Sequence, residues 1–484
     1  MNKAMDIERW GIFELALTGP EVGNPFLDVT LQAEFRQGEQ AFQVDGFYDG
    51  NGRFLIRFMP NQEGNWKYVT RSNAAELDGR SGQFNCIAPS PDNHGPVQVY
   101  NTYHFAYTDG TPYFPFGTTC YAWTHQGREL EEQTLATLAQ TSFNKLRMCV
   151  FPKDYVYNKN EPEHYPFVRD AAGTHDFTRF NPAFFHHLEQ RLADLARLGI
   201  EADLILFHPY DRWGYATMTP EEDFRYLRYV IARLAAFRHV WWSLANEYDF
   251  MLDDKPMALW DQFFQLVQEA DPYGRLRSIH NGRIWYDHHK PWVTHVCVQS
   301  SAVKKATEWR DTYQKPIIND ELEYEGNNPV GTWGCISAHE EVHRFWTMVT
   351  RGCYAGHGET YLHPEDILWW SKGGVLHGES EPRIAFLREI LEAAPGGLEP
   401  MRHPSSTSWE RISGSQNGAY RLFYFGEYQP SAWAMGLPEN VPFTVDLIDP
   451  WNMTITRLPG TFHNAAQIDL PGKPYLAVRI QPAA

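Results

Sequence analysis

Hydrophobic and polar residues alternate in short runs over the first part of the chain, as in Phe26-Leu27-Asp28-Val29-Thr30-Leu31 and Arg53-Phe54-Leu55-Ile56-Arg57-Phe58. Turn chemistry at Asp49-Gly50-Asn51-Gly52 and Asp78-Gly79 separates them. A period of two turns one side of each run to a core and the other to water, so a β-sandwich is predicted over residues 1–88. The stretch from Ala88 to Pro96 has the composition of a linker. From about Val97 the pattern changes to apolar strands alternating with amphipathic helices. The predicted strands are Tyr113–Gly117, Asn144–Val150, Ala202–Phe207, Val240–Leu244, Leu276–His280, Val293–Gln299, Pro316–Asp320 and Cys353–Gly356. Eight such units are what a closed (β/α)8 TIM barrel needs.

Two of the helices carry clear start signals. Asn181 with Pro182 precedes the stripe Phe185, Leu188, Leu192 and Leu195, which Gly199 ends; Thr219-Pro220-Glu221-Glu222 is a capping box ahead of Phe224, Leu227, Ile231 and Leu234. A last helix near Arg383–Ala393 meets the breaker Pro395-Gly396-Gly397, and short strands resume at Tyr420–Phe425, Phe443–Ile448 and Tyr475–Ile480. The expected architecture is therefore α/β: a barrel over 97–395 between β-sandwiches at 1–88 and 398–484.

Two stretches place chemistry on this frame. Val240-Trp241-Trp242-Ser243-Leu244-Ala245-Asn246-Glu247 is an apolar run that ends at an amide beside a carboxylate, and Lys315-Pro316-Ile317-Ile318-Asn319-Asp320-Glu321 likewise runs into acids. Barrel sites lie at the C-terminal ends of the strands. In strand order those ends supply Tyr121, Trp123 and His125; Arg147; His208 and Tyr210; Asn246 and Glu247; His280 and Asn281; Gln299; Glu321; and His357 and Glu359. Two carboxylates at separate strand ends are the minimum equipment for hydrolysing a glycosidic bond, and a polar, aromatic ring around them suits a sugar.

The formal net charge of −18 is spread along the chain without acidic blocks, which argues against a nucleic-acid partner. No apolar run is long enough to span a bilayer, and the segment Met1 to Trp10 has no signal-peptide core, so the expectation is a cytoplasmic protein without a membrane partner. Its six cysteines are scattered with no CxxC pair and read as buried thiols. The 17 Trp and 25 Tyr serve chiefly as core volume, with some faces open to sugars.

The pair Asn246-Glu247 and Glu321, with three strand-helix units between them, resembles clan A glycoside hydrolases. Phe114-Pro115-Phe116-Gly117-Thr118-Thr119-Cys120-Tyr121-Ala122-Trp123 and Asp320-Glu321-Leu322-Glu323-Tyr324-Glu325-Gly326 resemble the apiosidase-like barrel family more narrowly. The flanks Trp10-Gly11-Ile12-Phe13-Glu14, Gly46-Phe47-Tyr48-Asp49-Gly50, Arg57-Phe58-Met59-Pro60 and Asp449-Pro450-Trp451-Asn452-Met453-Thr454-Ile455 are similar to its companion domains. The resemblance implies a retaining enzyme with Glu247 as acid/base, Glu321 as nucleophile, and Asn246 binding the hydroxyl beside the anomeric carbon. Water is then the co-substrate, and no cofactor or metal is implied. One departure is Gln299-Ser300-Ser301 at the sixth strand, where many members place a tyrosine that hydrogen-bonds the nucleophile.

Arg147 is positioned to hold Glu321 ionised, or equally to form a structural ion pair. The remaining substrate-binding candidates are Trp123, His125, His208, Tyr210, His280, Gln299, His357 and Glu359, of which His208, His280 and His357 could instead be hydrogen-bonded wall residues. Glu323 and Glu325 compete with Glu321, since alternate residues share a strand face; the offset from Lys315-Pro316 favours Glu321. His339-Glu340-Glu341-Val342-His343 matches the zinc-peptidase pattern, but Trp346 stands where its glycine belongs and Val342, Phe345, Trp346 and Val349 form an ordinary packing stripe. A non-catalytic carbohydrate-binding scaffold is the other alternative. The expected partner is an oligosaccharide or small glycoside, and self-association stays open.

Overall fold

The computed structural model describes residues 5–329, 333–401, 413–437 and 441–483. Eight short strands, nearly all buried, run parallel: β1 Phe116–Thr119, β2 Lys145–Cys149, β3 Glu201–Phe207, β4 Val240–Ala245, β5 Arg277–Ser278, β6 Val296–Gln299, β7 Ile317–Glu321 and β8 Tyr354–His357. Their order, β5-β4-β3-β2-β1-β8-β7-β6, is that of a barrel whose strands pair everywhere except between β5 and β6. Helices α1 Arg128–Leu138, α2 Pro182–Arg197, α3 Pro220–Leu234, α4 Met257–Ala270, α5 Ala306–Tyr313, α6 Ala338–Thr350 and α7 Ser380–Glu392 surround it. The start signals act as the sequence suggests: Asn181 accepts from Ala183 N–H at 3.2 Å, and Thr219 and Glu222 form the reciprocal capping box.

The seam is the main departure from the expected repeat. Between β5 and β6 the described chain forms turns and bends rather than a helix, through Gly282, Asp287 and Pro291. Beside one backbone bond, from Thr294 N to the Arg277 carbonyl at 3.0 Å, side chains do the work of the missing ladder. Thr294 Oγ1 accepts from Arg277 N at 2.7 Å and donates to its carbonyl at 2.9 Å, while the Asn281 amide bonds both backbone groups of Gln299 at 3.2 and 3.3 Å.

Two strand expectations also shift. Pro112–Tyr113 pairs antiparallel with His104–Tyr107, and β1 starts only at Phe116, because Pro115 has no N–H to give a ladder. Phe105 of that small sheet packs on Trp241 and Tyr354 beneath the barrel. Residues Pro25–Asp28 form a single helical turn, with Asp28 accepting from Asn24 N at 2.7 Å, so the strand expected from Phe26 begins at Leu31.

Ahead of the barrel, a five-stranded and a three-stranded sheet enclose Phe13, Phe35, Phe58, Trp66 and Phe84; Phe35 stacks on Phe58 and Phe13 on Phe84, each at 4.2 Å. Buried charges tie this sandwich to the barrel. Arg57 donates to Glu189 of α2 at 2.7 Å, and Arg233 of α3 bridges Glu189 and Asp49, each at 2.7 Å. After the barrel, the described residues of the C-terminal β-domain form a six-stranded sheet and a two-stranded pair. Five of the six cysteines are buried as expected; Cys335 is exposed, lying in the connection after β7 rather than in a strand. No helix among the described residues is long and apolar enough to cross a membrane.

Candidate active site

Register delivers both carboxylates to one end of the barrel. β3 and β4 align Phe207 with Ala245, so the next residues, Asn246 and Glu247, stand just past the rim. Asn246 N still donates to Phe207 O at 2.9 Å, and then the chain turns sharply, with Glu247 in the left-handed region at φ 47°. A non-glycine residue there is strained, and such strain is held where the surrounding contacts fix a side chain in place. On the opposite wall Glu321 ends β7, paired in register with Gln299 of β6.

Arg147, fully buried on β2, organises the space between them. Its guanidinium donates to Glu321 at 3.2 Å, to the Tyr121 oxygen at 2.9 Å and to Asn246 Oδ1 at 2.8 Å. Because arginine only donates, it fixes the Asn246 oxygen inward and leaves the amide nitrogen facing Glu247 Oε2, at 3.2 Å. The Tyr121 hydroxyl has one proton, and it donates that proton to Glu321. The hydroxyl absent from β6 is thus supplied from the segment after β1. Tyr210 donates to Glu247 on the other side, His280 Nε2 lies 3.3 Å from Glu321, and the Gln299 amide, with its nitrogen turned to Glu247, lies 3.3 Å from that carboxylate.

These surroundings split the two acids. Burial, followed by the nearby charge of Glu321, pushes Glu247 up to about 7, against the opposing Tyr210 hydrogen bond. Burial also pushes Glu321 up, but His280, Arg147 and Tyr121 outweigh it and the carboxyl falls to about 2. At neutral or mildly acidic pH one group is a proton donor and the other an anion. For a poor leaving group, kcat/KM should therefore fall tenfold per unit above a basic limb near pH 7. Tyr210→Phe removes a bond that favours the ionised form, so the limb should move to higher pH. A pH–rate profile unmoved by this substitution would assign the limb to another group.

Of the sequence candidates, Arg147, Tyr210, Asn246, Glu247, His280, Gln299 and Glu321 come together. Five do not join them. Trp123 and His125 fall in a buried 3-10 turn, with Trp123 Nε1 on Met148 Sδ at 3.4 Å and His125 stacked on Phe184 of α2. His208 faces the Phe151 carbonyl at 3.2 Å. His357 faces Thr118 Oγ1 at 2.9 Å and packs on Phe143, while Glu359 accepts from His377 N and Gly378 N, each at 2.7 Å. Lys153, Tyr155, Tyr324 and Trp370, which carry no strand-end signal in the sequence, lie about Tyr121 instead.

The competing acids have other partners. Glu323 pairs with Arg344 at 2.7 Å, and Glu325 accepts from Tyr361 and from the backbone N–H of Glu379 and Ser380. Asp320 is held by Lys145 at 2.8 Å and by Cys297 at 3.0 Å. In the zinc-like pattern, His339 stacks on Trp451 at 4.3 Å and His343 Nδ1 meets Tyr424 OH at 3.0 Å. Both imidazoles serve the seat of the C-terminal domain, and no group of three or more metal-binding side chains occurs among the described residues.

Barrel, strand ends and paired carboxylates together define the glycoside hydrolase class. Residues 100–394 match the apiosidase-like catalytic domain, and the chain belongs to that family. Residues 6–73 and 409–481 match two domains of unknown function, DUF5060 and DUF5605. A crystal structure of a presumptive glycoside hydrolase from Bacteroides vulgatus is 40% identical, with a TM-score of 0.93 over 99% of this chain and 100% of that one. A glycoside hydrolase family 5 structure from the same organism shares the fold at 14% identity, with a TM-score of 0.63 over 81% of this chain and 94% of that one. A comparison with curated proteins found no match.

Proposed function

We propose that this glycoside hydrolase retains anomeric configuration and acts from chain ends on short oligosaccharides or small glycosides in the cytoplasm. The barrel over 97–395 is its catalytic unit, with the segments 1–88 and 398–484 as companion domains. The observation that carries the mechanism is the split between Glu247 and Glu321, held by a single network through Arg147, Tyr121 and Asn246. Glu321, ionised, attacks the anomeric carbon while Glu247 protonates the departing oxygen; water, activated by Glu247, then releases the sugar from Glu321. Asn246 directs its amide nitrogen to the hydroxyl beside the anomeric carbon. The small-substrate reading is supported by Tyr155, Tyr157 and Trp370, which pack edge to face at 5.6 Å beside the site and narrow one side of it.

Proton NMR of the first-formed product tests the mechanism: the released sugar should appear with the anomeric configuration of the substrate. An inverted product would reject Glu321 as nucleophile, because inversion is the outcome of a single displacement by water, with no glycosyl-enzyme on Glu321.

A further inference from the structure

Lys153 lies in the loop after β2 and is only 1% exposed. Its ammonium sits 3.5 Å from the ring centre of Tyr121, 4.4 Å from Tyr210, 4.5 Å from Tyr155 and 5.7 Å from Trp370. Among the described residues no carboxylate forms an ion pair with it, and Glu247 and Glu321 act on it only at longer range. A buried cation without a counterion is costly, and ring faces offset only part of that cost. Tyr121 and Tyr210 are also the rings whose hydroxyls donate to Glu321 and Glu247. The ammonium therefore sits beside the place of the reacting sugar, not on a remote wall.

The charge of the site points the same way. Arg147 is matched by Glu321, whereas Lys153 has no paired carboxylate among the described residues and burial draws it below the usual lysine range, so an anion brought beside it would stabilise its charged form. A sugar hydroxyl could accept a bond from it but would leave the charge uncompensated; a carboxylate would answer both needs. We propose that Lys153 is a specificity residue that pairs with a carboxylate on the sugar bound between Glu247 and Glu321, so that the preferred substrate is a glycoside of a uronic acid. This rests on the glycosidase reading of the site.

The experiment uses 4-nitrophenyl glycosides matched except at C6, glucuronide against glucoside and galacturonide against galactoside, in both anomeric forms. Wild type should favour the uronide within any pair it hydrolyses. Lys153→Met, which keeps an unbranched chain among the rings, should raise KM for the uronide by roughly 10²-fold, the scale for removing one partner of a buried charge pair. The ratio of uronide KM to neutral-partner KM should rise by about that factor, because only the uronide makes the pair, whatever loss the two substrates share through Tyr121 and Tyr210. Equal losses on both members of a pair, or a wild-type preference for the neutral one, would overturn the proposal and leave Lys153 as part of the wall. Binding to the wild-type protein gives a second reading that does not depend on the variant's folding. Glucuronate or galacturonate should raise the thermal midpoint where glucose and galactose do not, and equal effects would overturn the proposal. Failure to hydrolyse any aryl glycoside while the uronates still bind would sink the glycosidase reading and leave the role of Lys153 standing.

Discussion

Glu321→Ala should lose activity by on the order of 10⁴-fold or more on every substrate, whatever the leaving group. The expected size comes from what is removed: the one ionised carboxylate that Tyr121, Arg147 and His280 surround. Its neighbours cannot take over. Asp320 is held by Lys145 and Cys297, and Glu323 by Arg344. Glu323→Ala should accordingly keep activity near wild type. Its effect on stability should be modest, because Arg344 keeps its bonds to Glu340 and to the Leu322 carbonyl when Glu323 is removed. Parallel kinetics on an aryl glycoside and an oligosaccharide decide between them; loss of chemistry in Glu323→Ala with survival in Glu321→Ala would reverse the assignment.

The two carboxylates were legible because a buried parallel strand that runs without a break into polar residues has nowhere to put them but the barrel mouth. The same reasoning also put Trp123, His125, His208, His357 and Glu359 at the mouth, where the structure does not bring them, because it stops at the strand end. Beyond that end, the path of the chain depends on distant residues: Tyr121 N and Ala122 N bond the carbonyls of Trp370 and Ser371, and this turns Trp123 and His125 into the packing against α2. His357 is the last residue of β8, but its ring turns to Thr118 and Phe143 rather than to the site. Lys153 carried little signal for a related reason. A lysine after Phe151-Pro152 reads as a solvated loop residue, and its burial is decided by rings at 121, 155, 210 and 370 that only the closed barrel brings together. The seam was hidden as well, because Asn281 and Thr294 close most of it with side-chain bonds that leave no periodic trace.

Glu247→Ala should separate the two chemical steps that Glu321→Ala stops together. With the acid gone, an activated phenol still departs unaided, since its anion needs no proton, whereas a sugar alcohol does not. Aryl substrates with good leaving groups should therefore still glycosylate Glu321, and oligosaccharides should not. Hydrolysis of the intermediate needs Glu247 as base, so it slows and the glycosyl-enzyme accumulates, visible as a burst of released phenol and as a mass increase on Glu321. Azide needs no general base to attack this intermediate and enters space the carboxylate has vacated beside Tyr210 and Asn246. It should speed turnover and give a glycosyl azide of retained configuration. In Glu321→Ala the same anion replaces the nucleophile itself, so any rescue should give the inverted azide. Opposite configurations from the two variants would fix both roles at once; identical responses to leaving group and azide would show that the paired carboxylates do not divide the work in this way.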